Sequence, residues 1–173
     1  IEANKLSNVN KFYQEKEEVV TDIKSLTEKL DDTIIDILVE IQEKINNELI
    51  RINKEIHTEK KKIPSIKLKR NSYTFDHSSN TGTGKSFADL IEFDLAILNM
   101  TELPFIIHDS VLFKNIEDFA VDKIIEQYTN FDKQIFMALD GINKYSDESQ
   151  SILRDNNVIE LSESKKLFNR DWR

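Results

Sequence analysis

From Leu6 to Ile56 apolar residues return at three- and four-residue steps, with Glu, Lys, Asp and Asn between them. Val9, Phe12, Val19, Ile23, Leu26 and Leu30 make the first part of the series; Ile34, Leu38, Ile41, Ile45, Leu49, Ile52 and Ile56 make the second. This spacing predicts an amphipathic helix with a coiled-coil-like seam. Neither Gly nor Pro occurs before Pro64, although Asp31-Asp32-Thr33 could cap a second helix and break the first. Unbroken, about fifty residues at ~1.5 Å each would extend on the order of 75 Å, too far to bury their own stripe. The seam therefore calls for a partner helix, as a projecting coiled-coil arm or as part of an ordinary bundle.

After Pro64 the period shortens to two. Ile66 and Leu68 alternate with Lys67 and Lys69, and Tyr73 and Phe75 with Ser72 and Thr74, which predicts a hairpin across Arg70-Asn71. Phe87 to Met100 then reads as a helix with Leu90, Ile91, Leu95 and Leu98 inward. Leu103 to Asp109 has a short apolar core ending in charge, the pattern of a buried strand whose C-terminal tip reaches a site. A helix over 116–128, a strand over 134–139 closed by Asp140-Gly141, a helix over 146–153 and a last strand over 158–161 follow. The tail through Leu167 and Phe168 to Trp172 is expected to fold back. The resulting division is a helical arm over 1–61 and an α/β lobe with a mixed sheet over 62–173. Within the lobe the hairpin spans 63–77, the glycine loop and its helix 81–100, and the first buried strand 103–109.

Composition narrows the partners. Charged residues make up 32% of the 173 and the net charge is −8, which argues against a general nucleic-acid surface. The run from Lys60 to Arg70 is a local exception, and DNA stays a possible partner through it. There is no cysteine, so neither a disulfide framework nor a thiolate metal site is available. No apolar run approaches the roughly 20 residues that cross a bilayer. A cytoplasmic protein without membrane contact is expected, and the opening Ile suggests a piece of a longer chain.

Two of the three glycines, Gly82 and Gly84, fall in Ser78-Ser79-Asn80-Thr81-Gly82-Thr83-Gly84-Lys85-Ser86. The last residues resemble the end of a phosphate-binding P-loop, but the leading glycine of that motif would stand at Ser79. The alternating strand before it is also unlike the buried strand that feeds a P-loop. Gly82 to Ser86 nevertheless opens a predicted helix, where free amides and the helix dipole favour an anion.

A helical arm, a hairpin, a glycine loop opening a helix and a buried strand ending in Asp resemble, in that order, the C-terminal half of the head in SMC-like (RecN/Rad-type) ABC ATPases. On that resemblance Thr81 to Lys85 match the signature motif, with Ser86 following. Phe105 to Ser110 match the Walker B strand, and Asp109 is the Mg²⁺-linked aspartate. The wording GTGKS followed by HDS resembles the bacterial domain of unknown function 2326 family, found at the C-termini of SMC-like proteins.

The resemblance implies ATP and Mg²⁺ in a complete head dimer only, because the P-loop would belong to an N-terminal lobe of the parent protein. Thr81 and Gly82 of one head would meet the γ-phosphate held on the other, in DNA repair or defence against foreign DNA. Three positions depart from the family pattern: Thr83 replaces a glycine, Ser110 replaces the catalytic glutamate, and the switch histidine is absent with Asp140 near its place. His108 is either a substitute base or a strand-end histidine satisfied by hydrogen bonds. Asp109 is either metal-linked or a structural cap. A non-catalytic coiled-coil adaptor and a self-contained P-loop enzyme using Lys85 are the alternatives.

Overall fold

A computed structural model describes residues 2–57, 62–77, 82–162 and 165–166, with side chains from residue 10 onward. Its architecture is mixed α/β, with a long N-terminal helix and two small sheets. The helix, α1, runs unbroken over Glu2–Ile56. Asp31-Asp32-Thr33 does not interrupt it. The Thr33 hydroxyl, instead of capping a new helix, donates to the carbonyl of Lys29 one turn back, at 2.8 Å.

The chain divides into two compact units, residues 1–46 with 66–75 and residues 47–65 with 76–173. The hairpin groups with the helix up to residue 46, and the helix from residue 47 onward groups with the rest of the chain. In the first unit, strands β1 (Ser65–Lys69) and β2 (Ser72–Asp76) pair through the Arg70-Asn71 turn. The backbone of β1 is satisfied by amide side chains of α1. Asn46 donates to the Ile66 carbonyl at 3.0 Å and accepts its N–H at 2.8 Å, and Gln42 accepts the N–H of Leu68 at 2.9 Å. Polar side chains thus occupy backbone groups that would otherwise invite another strand. Arg70, the end of the basic run, is paired with Asp31, while Lys67 and Lys69 are exposed.

The second unit is built around α2 (Thr83–Met100), β3 (Phe105–His108), α3 (Ser110–Phe113), α4 (Asp118–Tyr128), β4 (Gln134–Met137) and α5 (Asp147–Asp155). Its core joins Leu49, Ile52 and Ile56 of α1 to Ile91, Leu95 and Leu98 of α2, Phe113 of α3, and Val121, Ile124 and Ile125 of α4. Leu90, expected inward, is exposed, whereas two nearby acids, Asp89 and Glu92, are fully buried along with Ile91. Lys133 donates to the carbonyls of Leu98 and Thr101 and so satisfies the C-terminal end of α2. The Asp122 carboxylate accepts the N–H of Ser146 at 3.0 Å, tying α4 to the start of α5.

β3 and β4 are parallel, with Phe105 opposite Gln134 and His108 opposite Met137. Among the described residues the strands form two separate pairs, β1 with β2 and β3 with β4. Residues 158–161 form no strand. Val158, Ile159 and Leu161 are exposed, and no described strand offers them a ladder. Leu167, Phe168 and Trp172 lie outside the described residues. No helix among the described residues is long and apolar enough to cross a membrane.

Candidate functional site

Thr81 lies outside the described residues, so the glycine segment is seen from Gly82 onward. Gly82 precedes α2 in an extended conformation, with no side-chain cap and no acid in the helix's first turn. Gly82 and Thr83 are exposed. This is a helix start whose amides are open to an anion. Gly84 answers a different demand. A β-carbon there would lie 2.0 Å from the backbone oxygen of Asn115, so its glycine permits close packing of α2 on the turn between α3 and α4. Ser86 stays with its own helix, its N–H reaching the Gly82 carbonyl at 3.2 Å.

Lys85 turns inward. Its ammonium is paired with Asp89 one turn along α2 and lies 3.7 Å from Glu92. Both carboxylates are fully buried. Asp89 also faces Nδ1 of His77 at 3.0 Å. Glu92 faces Nε2 of His57 at 2.9 Å and accepts from the Asn53 amide at 2.9 Å. Lys85 is thus engaged by two buried acids of its own helix.

The second group of candidate residues lies at the C-terminal ends of the parallel strands, where open α/β sheets place their ligands. His108 is buried at the end of β3. Its Nδ1 meets the Tyr128 hydroxyl, and its Nε2 lies 3.3 Å from Asp94. Burial first, and then the charge of Asp94, hold the Tyr128 phenol well above its usual range, so it remains a donor. With Asp94 accepting at Nε2 and Tyr128 donating at Nδ1, both ring nitrogens are occupied. The histidine therefore has the environment of a satisfied strand-end residue rather than of a free base.

Asp109 is exposed and caps α3, its Oδ1 accepting the N–H of Ser110 at 2.6 Å. Ser110 is half-buried at the head of that helix. Asp140 is exposed and paired with Lys114 at 3.2 Å. Gly141 after it takes a φ of +77°, a left-handed turn that glycine adopts without a β-carbon penalty.

The structure thus separates the sequence candidates into an open helix start at Gly82 and Thr83, an inward-facing Lys85, and Asp109 with Ser110 at a strand tip. Sequence reasoning missed Asp89, Glu92, His57, His77 and Asn53 around Lys85, and Asp94 and Tyr128 around His108. One signal was present: Lys85 and Asp89 stand four residues apart on a predicted helix, the spacing of an ion pair.

Among solved structures, one described as "Structural biochemistry of ATP-driven dimerization and DNA stimulated activation of SMC ATPases" is 12% identical, with a TM-score of 0.48. The likeness covers 68% of this chain and 76% of that one. The search among curated proteins found no match. A family model described as an uncharacterised protein conserved in bacteria, DUF2326, matches residues 41–172. The chain belongs to the DUF2326 family.

Proposed function

We propose that this chain is the C-terminal half of an SMC-like ABC ATPase head with its coiled-coil arm. In that role it supplies a signature-type loop to ATP bound on another head, in a protein of DNA repair or of defence against foreign DNA. The observation that carries the reading is the bare face of the β3–β4 pair. Parallel strands are ordinarily covered on both faces, yet Phe105, Ile107 and Phe136 share one face here at 47, 68 and 41% exposure. The apolar segment 158–161 is likewise unpaired among the described residues. A parallel pair with an apolar face in water fits one part of a larger sheet, completed in this proposal by an N-terminal lobe that carries the P-loop.

The open start of α2 suits an anion, through its amides and the Thr83 hydroxyl. A metal ion is different. Among the described residues no group of three or more His, Cys, Asp or Glu side chains could hold one, and Asp109 is a single exposed carboxylate. The described residues do not make a Mg²⁺ site on their own, and in the proposal Asp109 is one support of a site built mostly by the other lobe.

Two measurements test the reading. Titration calorimetry of the chain alone is expected to show no ATP binding; tight binding would sink the proposal. When the chain is assembled with the N-terminal lobe of its parent, ATP is expected to drive head association, and Thr81→Arg to abolish it. Association that ignores Thr81→Arg would mean that the loop is not the signature element. Assembled heads that never respond to ATP would favour the adaptor.

A further inference from the structure

The charges buried around Asp89 have no part in that reading, yet they sit on both sides of the glycine segment. Asp89 is fully buried on α2, and its two oxygens have different partners. Oδ2 faces Nδ1 of His77 at 3.0 Å, and Oδ1 faces the ammonium of Lys85. His77 is the residue at which the chain leaves β2, and Lys85 lies in the first turn of α2 beyond Gly82. One carboxylate therefore meets both flanks of the same short stretch of chain.

Glu92 braces the arrangement from below. It lies 3.7 Å from the Lys85 ammonium, and its own oxygens are taken by His57 and Asn53 near the end of α1. An ionised carboxylate has no hydrogen to give, so every bond to Asp89 and Glu92 is donated to it. That assigns the hydrogen to Nδ1 of His77 and to Nε2 of His57. To part the two flanks, the segment would have to leave Asp89 buried with a partner missing, the costly state for a charge without water.

We propose that Asp89 is a positioning residue, a clamp that holds the flanks of segment 78–84 together through His77 and Lys85. Lys85 belongs to this clamp and is not a phosphate ligand. The clamp operates without nucleotide and does not depend on the ATPase reading. Under that reading it has a corollary, that the loop meets phosphate with uncharged donors.

Hydrogen exchange followed by mass spectrometry on the full chain, without nucleotide, tests the clamp. Asp89→Asn keeps one acceptor oxygen and turns an NH₂ group toward the other donor. Peptides covering 77–86 are expected to exchange about tenfold faster, with those of α4 unchanged. His77→Ala is expected to accelerate the same peptides by a smaller factor, and the double variant to exchange more slowly than the two effects added together would give. Uniform acceleration across the chain, unchanged exchange in 77–86, or fully additive effects would each overturn the clamp. Should Asp89→Asn fail to fold, His77→Ala decides by itself. Its ring is only half-buried, and faster exchange at Gly82 to Ser86, the opposite flank, is expected; a change confined to residues beside 77 would overturn the proposal.

Discussion

Gly84 shows how a residue that looks like part of a ligand motif can be required by packing alone. Replacing it with Ala would gain about 1 kcal/mol of helix propensity. The added carbon, however, would come within 2.0 Å of the Asn115 backbone oxygen, an overlap that no rotamer change relieves. Overpacking of this kind costs about 1–3 kcal/mol, so Gly84→Ala is expected to lower stability by up to about 2 kcal/mol net. A urea denaturation midpoint checks it. A variant as stable as the wild type would mean that the turn between α3 and α4 yields easily. The sequence displays Gly84 and Lys85 as a phosphate motif because motif spacing is local. Their partners, Asn115 and the pair Asp89 and Glu92, are set by tertiary packing, and nothing in local hydropathy marks two acids on α2 as buried.

At the scale of elements, periodicity was informative wherever a stripe or an alternation repeats. The long helix, the hairpin turn, α2 and the paired strands all stand where apolar spacing puts them. It failed at 158–161, because a strand needs a neighbour as well as a β-prone sequence, and no described strand pairs with that segment. It also missed α3, a four-residue helix too short to show a period. The bare face of β3 and β4 makes an element-scale prediction. Ile107 is 68% exposed, so a charge there meets water rather than the core. Ile107→Glu is expected to change the stability of this chain by no more than about 0.5 kcal/mol, as at other exposed sites. The same variant is expected to abolish assembly with the N-terminal lobe, because it would bury an unpaired carboxylate in the completed sheet. Co-purification of the two pieces measures this, and a variant that still assembles would show that the face is not the one covered.

For the whole molecule, the proposed function implies two modes of association, and they belong to different compact units. The seam of α1 lies in the first unit, where Val19, Ile23, Leu26 and Leu30 are each more than half exposed. The segment from Gly82, proposed as the signature element, lies in the second. Burial of a Leu or Ile side chain contributes roughly 1.5–3 kcal/mol, so a seam of this length paired with a second copy would associate without nucleotide. Loop engagement would require ATP on an assembled head. Leu26→Lys with Leu30→Lys places two ammonium groups on the seam of each copy, and the nucleotide-independent dissociation constant is expected to rise at least about a hundredfold, or roughly 2.8 kcal/mol. Because both residues are exposed in the chain itself, its melting temperature at low concentration should hold. Sedimentation equilibrium over a range of protein concentrations, with and without ATP, separates the two modes. If the double lysine variant leaves the nucleotide-free association unchanged, the stripe of α1 is not a self-pairing surface. Its partner would then be another helix of the parent protein.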